Sequence, residues 1–193
     1  MSQRRKFIKQ SLLGSALLIP GLSTLKAEAS PIKKIAGTKP IILSTWNHGV
    51  PANADAWAKL KETGSILDAV EAGVRNTELD LENLSVGLQG LPDREGITTL
   101  DASIMLGDGS CGSVAFVRQV KHPISLARAV MEKTPHVMLA GEGARQFAIA
   151  QGFPMEEEKL SPKAQEEYDK WKVTSQYKPI INVENHDTIG MLA

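Results

Sequence analysis

Helix and strand signals fall in blocks along this chain, and that order restricts the fold more than any single motif does. Residues 41–46 form an apolar run, Ile41-Ile42-Leu43-Ser44-Thr45-Trp46, that reads as a buried strand. Asn47-His48-Gly49-Val50-Pro51 breaks it. Asn53 then caps a helix to about residue 63, with Ala54, Trp57, Ala58 and Leu60 at near-helical spacing. Gly64 ends that helix, and Ser65 caps a second one to about Leu79. Ile66, Ala69, Val70, Gly73 and Val74 make its apolar stripe, and Asp68 sits in the first turn, where the helix dipole favours a carboxylate. The glycine-rich residues 85–96 read as a long loop. Residues 98–106 and 112–117 predict two strands joined at Asp108-Gly109, a hairpin turn pair. Helices are expected from Pro123 or Ser125 to about Lys133, from Gly141 or Gly143 to Gly152, and from Ser161 to Lys172. Residues 179–183 read as extended. Blocks of this kind predict a layered α/β fold of the α+β type built on an antiparallel sheet, rather than a doubly wound parallel one.

The 193 residues suffice for one domain with a sizeable core, and 42% hydrophobic with 23% charged residues is ordinary for a globular protein. Acids and bases balance at 22 each, which argues against a nucleic-acid partner. Residues 1–29 read as an export signal. Arg4-Arg5-Lys6-Phe7-Ile8-Lys9 is a basic leader with a twin arginine, residues 12–22 are a short apolar stretch, and Ala27-Glu28-Ala29 supplies a cleavage site. The stretch is too short to span a bilayer. No later segment reads as a stable membrane span. The expected location is periplasmic or secreted. Losing this leader removes five of the 22 bases and one of the 22 acids, leaving a net charge of about −4. Cys111 is the single cysteine, so an internal disulfide is excluded. Its place beside an apolar run reads as a structural thiol.

The chemistry concentrates in His186-Asp187-Thr188-Ile189-Gly190-Met191-Leu192-Ala193. Cutting the Asp187–Thr188 bond makes Thr188 a new N-terminus, which pairs a hydroxyl nucleophile with its own free amine as base. The amine's ordinary pKa of about 8 suits that role near neutral pH. The cut is one the chain's own groups can make: the Thr188 hydroxyl attacks the Asp187 carbonyl carbon, and the neighbouring carboxylate takes the proton. Taken in isolation, the same residues are an ordinary junction of loop and strand. Trp46 reads by itself as core and Ser85 as a loop capper. His48, His122, His136 and His186 lack metal-ligand spacing, and Gly87, Gly90 and Gly96 lack the strand-to-helix context of a phosphate loop. No metal, nucleotide or other cofactor is expected.

Taken together, the segments closely resemble the glycosylasparaginases, or aspartylglucosaminidases, of the N-terminal-nucleophile hydrolase superfamily. The resemblance runs through Ser44-Thr45-Trp46-Asn47, Ala52 to Trp57, Leu67-Asp68-Ala69-Val70-Glu71 and Ser85-Val86-Gly87. It continues through Pro92-Asp93, Thr98-Thr99-Leu100-Asp101-Ala102, Gly112-Ser113-Val114 and Ile124 to Leu139, then Trp171, Thr174 to Pro179 and His186 to Met191. It implies an αββα sandwich, incomplete in this chain, with residues 30–187 as the α chain and 188–193 as the start of a β chain. It implies self-cleavage involving His186, Asp187 and Thr188, with Thr188 as the catalytic nucleophile and Trp46 and Ser85 at the substrate. The implied substrate is a small glycosylated asparagine, whose N-acetylglucosamine–asparagine amide is hydrolysed, and the implied assembly is a dimer of αβ units. The family's carboxylate-binding arginine, its amine-binding aspartate and its oxyanion threonine and glycine lie in the missing β-chain. The chain as written is therefore expected to be inactive alone: a fragment or truncated frame, or a part completed in trans. Two alternatives remain. One is an isoaspartyl peptidase or plant-type asparaginase, which usually has a glycine before its threonine where this chain has Asp187. The other is a truncated, non-catalytic exported homologue.

Overall fold

A computed structural model describes residues 40–175 and 188–193. The export signal and the extended residues 179–183 fall outside the described residues. Among the described residues the helices are α1 (Gly49–Thr63), α2 (Ile66–Glu78), α3 (Pro123–Lys133), α4 (Gly141–Ala150) and α5 (Pro162–Thr174). The strands are β1 (Leu43–Ser44), β2 (Leu100–Met105), β3 (Cys111–Val117), β4 (Met138–Ala140) and β5 (Met191–Leu192). They form two small sheets, ordered β1-β5 and β2-β3-β4. The architecture is layered α+β.

Several ends fall where local chemistry sets them. Ser65 Oγ accepts the backbone N–H of Asp68 at 3.2 Å and starts α2. Gly64, with φ at +72°, reverses the chain between α1 and α2 at no steric cost. Ser161 Oγ accepts from Ala164 N–H at 3.1 Å and starts α5. The hairpin closes as expected at Asp108-Gly109, where Leu106 N–H donates to the Ser110 carbonyl at 2.8 Å. Asp101 faces two residues of β3, a bulge, and its carboxylate accepts the N–H of Phe116 at 2.7 Å.

Three sequence expectations are corrected. Residues 41–46 are not a buried strand: only Leu43–Ser44 pair, Ile42 alone is buried, and Ile41 and Leu43 face solvent. Helix α1 begins at Gly49, so Asn53 is internal rather than its cap. Pro51 lies in the first turn, where no backbone N–H is needed, so the breaker is part of the helix. The three-stranded sheet is mixed, not antiparallel: β4 runs parallel to β3, pairing Ser113 with Met138 and Ala115 with Ala140. The three residues of β4 are too few to show a period, and α3 makes the crossover that a parallel pair requires.

Helix α3 covers one face of β2 and β3. Leu126, Ala127 and Val130 of α3 are fully buried, and Ile104 and Val114 lie beneath them. Gly112 permits the close approach: a Cβ there would sit 2.1 Å from the Ala127 carbonyl oxygen. Full burial of a Leu or Val side chain contributes about 1.5–3 kcal/mol each. The opposite face of the sheet is open, with Met105 at 70% and Met138 at 56% exposure beside exposed Asp101 and Ser103. Helices α1 and α2 pack on each other and carry the β1-β5 sheet. Arg128 of α3 joins the two parts by ion pairs to Asp68 at 2.6 Å and Glu71 at 2.7 Å on α2.

Candidate active site

Residues 188–193 alternate, as a strand with one buried face must. Ile189 and Met191 pack against the main core, while Thr188, Gly190 and Leu192 are exposed. Met191 is the anchor. Its thioether occupies the space above Gly73 of α2, where a Cβ would meet Met191 Cε at 2.6 Å. Strand β5 pairs antiparallel with β1, Leu43 opposite Leu192 and Ser44 opposite Met191. Beyond the ladder, Thr45 N–H donates to the Gly190 carbonyl at 3.0 Å, and Gly190 N–H donates to Thr45 Oγ1 at 3.0 Å. This leaves Thr188 on the solvent side of the strand, at the rim of a groove of about 950 Å³.

Ser85, Glu78, Gly87, Asp101 and Ile124 also line that groove. Ser85 is held by Asn83. The Asn83 side-chain oxygen accepts the N–H of Ser85 at 2.9 Å, the N–H of Val86 at 3.2 Å and the Ser85 hydroxyl at 2.9 Å. Two backbone donors fix that atom as the oxygen, so Ser85 commits its one hydroxyl proton to it and turns lone pairs to its remaining neighbours. Gly87, with φ at +78°, lets the loop pass close over the end of α2: a Cβ there would lie 2.5 Å from the Glu78 carbonyl oxygen.

Glu78 is buried at 5% exposure. Its carboxylate accepts the N–H of Ile124 at 3.0 Å, in the first turn of α3, and contacts His122 Nδ1 at 2.9 Å. Burial pushes this carboxyl above its ordinary range, and the contact with His122 and the bond from Ile124 offset part of that rise. At the other end of the same helix pair, the hydrogen bond from Arg128 holds Asp68 below its ordinary range.

Of the residues singled out from sequence, Ser85 and Thr188 come to one groove. Trp46 stands outside its lining, 46% exposed, in the left-handed conformation at φ +62°, one residue past the Thr45–Gly190 bonds. His186 and Asp187 fall outside the described residues. Sequence reading passed over Asn83, Glu78 and Thr45. Asn83 stands two residues before Ser85, the spacing of an Asx turn. Glu78 is four residues beyond Val74 on the buried stripe of α2, an acid where an apolar residue belongs. Thr45 carries no comparable signal, because its role depends on a strand 145 residues away. Among the described residues no group of three or more His, Cys, Asp or Glu side chains converges as a metal site would.

Comparison with known proteins bears on the same segments. The chain is 51% identical, over its whole length, to an N(4)-(beta-N-acetylglucosaminyl)-L-asparaginase of Elizabethkingia miricola, of which it covers 56%. It is 34% identical over 84% of its length to the protein of that name from Rattus norvegicus, covering 55% of it. A plant-type L-asparaginase of Pyrococcus horikoshii is 37% identical over 79% of this chain, which covers 45% of that protein. The chain thus spans about half the length of the curated relatives it matches. The profile of the asparaginase family matches residues 46–193, a stretch that begins at Trp46 and takes in Ser85, Thr188 and β5. With its groove and its strand β5 both inside that match, this chain belongs to the asparaginase family, one of the N-terminal-nucleophile hydrolase families.

Proposed function

We propose that this chain carries the nucleophile of an exported amidohydrolase that cleaves its own Asp187–Thr188 bond and then hydrolyses the N-acetylglucosamine–asparagine amide of glycoprotein fragments. The observation that carries the reading is the meeting of Ser85 and Thr188 in one groove. The names of the Elizabethkingia and rat relatives support the substrate.

In the first step Thr188 Oγ attacks the Asp187 carbonyl carbon, and the C–N bond gives way to an ester. That shift frees the Thr188 amine, which takes up the hydroxyl proton; water then hydrolyses the ester, releasing the Asp187 carboxyl and restoring the Thr188 hydroxyl. In turnover that amine takes the proton from Thr188 Oγ as the hydroxyl attacks the side-chain amide carbon. The bond between the side-chain carbonyl carbon and its nitrogen breaks, the aminosugar leaves with its nitrogen and the proton, and a β-aspartyl ester remains on Thr188. Water releases aspartate and restores the hydroxyl. Ser85, with its own proton committed to Asn83, accepts from a donor in the groove. The remaining length found in the relatives is where carboxylate, amine and oxyanion contacts are sought, and a dimer of two-chain units is the assembly this reading carries.

The test is the intact mass of the protein from its native cells, with Thr188→Ala beside it. The expected wild-type result is one species ending at Asp187 and a second beginning at Thr188, with Thr188→Ala left whole. An uncut wild type refutes the reading. Rates on glycosylated asparagine and on β-aspartyl dipeptides then separate it from the peptidase alternative, which the plant-type relative keeps in view. Faster turnover of the dipeptides favours that alternative.

A further inference from the structure

The ladder between β1 and β5 ends in an unusual way. In a regular antiparallel pair, each residue of a hydrogen-bonded couple donates its N–H to the other's carbonyl. Thr45 and Gly190 make the first bond, from Thr45 N–H to the Gly190 carbonyl at 3.0 Å. The return bond goes instead from Gly190 N–H to the Thr45 hydroxyl, also at 3.0 Å. The side chain stands in for the backbone acceptor, and the two strands stop pairing there. Thr188 lies two residues before Gly190, ahead of β5, on the exposed side, at the groove.

The β1 side of this junction is held firmly. Trp46 takes φ +62°, a conformation that is uncommon for a residue with a side chain. The turn around it is closed by the Gly49 N–H bond to the Trp46 carbonyl at 3.1 Å and by the Ser44 hydroxyl bond to the Gly49 carbonyl at 3.0 Å. Gly49 is required by that approach, since a Cβ would lie 2.2 Å from Ser44 Oγ. A fixed turn therefore presents the Thr45 hydroxyl to a strand that is itself pinned by Met191 at Gly73.

We infer that Thr45 is a positioning residue for Thr188: its hydroxyl ends the β1–β5 ladder at Gly190 and so sets where the nucleophile, two residues earlier, stands along the groove. The inference rests on the amidohydrolase reading above. An ordinary ladder bond to the Thr45 carbonyl would carry the pairing on toward Trp46 and Ile189 and tie Thr188 to the path of the sheet. A displacement of about 1 Å in a reacting group costs on the order of 100-fold in rate.

The experiment compares Thr45→Val, which keeps the shape and loses the hydroxyl, with Thr45→Ser, which keeps the hydroxyl, in the complete protein. In Thr45→Val, release of the chain beginning at Thr188 and the kcat of whatever is cleaved are each expected to fall about 10- to 100-fold. KM is expected to stay within about twofold, because binding groups are untouched. Thr45→Ser is expected to restore both rates to within a few-fold of wild type. Amide exchange at Gly190 gives a readout independent of turnover: protection falls in Thr45→Val and is retained in Thr45→Ser. Wild-type rates in Thr45→Val, or equal loss in Thr45→Ser, overturn the inference while leaving the amidohydrolase intact. Unchanged Gly190 exchange in Thr45→Val overturns it as well. A wild type that never releases the Thr188 chain sinks the amidohydrolase reading and the role of Thr45 with it.

Discussion

Replacing Gly112 by alanine tests how α3 is seated on the sheet. The added Cβ would lie 2.1 Å from the Ala127 carbonyl oxygen, 2.6 Å from Met131 N and 2.7 Å from Met131 Cβ. Two of these atoms belong to the helix backbone, so no rotamer change relieves the clash. Ordinary contact needs well over 3 Å, and α3 must retreat by about 1 Å, a gap that forfeits roughly a quarter to a half of each dispersion contact across it. The contacts at stake are those of Leu126, Ala127 and Val130, all fully buried. The cost is expected at the top of the overpacking range, about 3 kcal/mol. For a protein of this size that lowers Tm by roughly 6–12 °C. Gly143 supplies the control. It lies inside α4, and a methyl group added there would meet nothing within 4 Å, so Gly143→Ala is expected to stabilise by about 0.5–1 kcal/mol. Both are read by thermal and urea unfolding. A Gly112→Ala protein within about 0.5 kcal/mol of wild type would falsify the close seating of α3.

Ser65→Ala removes the cap of α2 and is expected to cost about 1 kcal/mol in urea unfolding, whereas Ser65→Asp keeps most of it. Glu78 makes a pH-dependent prediction. Its folded carboxyl is raised by burial above an ordinary value of 4.5, so the folded state binds the extra proton between the two values and stability declines as pH rises through that interval. Glu78→Gln is expected to flatten that decline, and parallel Tm–pH curves from about pH 4 upward would rule the cause out. Asn83→Ala frees the Ser85 hydroxyl and is expected to lower kcat/KM about tenfold, with Asn83→Asp retaining most activity because it keeps the acceptor. Equal losses in the two variants would show that the Asx turn does not orient Ser85.

What was legible in the sequence was mostly local. Ser65, Gly64, Ser161 and the Asp108-Gly109 turn each act within a few residues, and each marks an end or a turn where expected. Misreadings arose where a distant partner overrides a local sign. Pro51 looks like a breaker until it is seen inside a first turn, and β4 is a strand because β3 offers it an edge. The same division holds at the groove. Thr188 could be marked by its chemistry, and Ser85 only by the resemblance of its segment to a family. Thr45 and Glu78 could not, because the bond to Gly190 and the bond from Ile124 exist only after strands and helices far apart in sequence have met.

Leu43 stands opposite Leu192, so the ladder of β1 and β5 closes a ring around almost every described residue. A loop of that length costs about 4 kcal/mol in closure entropy, and two paired residues return little of it. The strand can dock only when Gly73 already offers its socket to Met191, which requires α1 and α2 to be packed. The seat of β5, and with it the place of Thr188 at the groove, therefore depends on helices more than a hundred residues earlier in the chain.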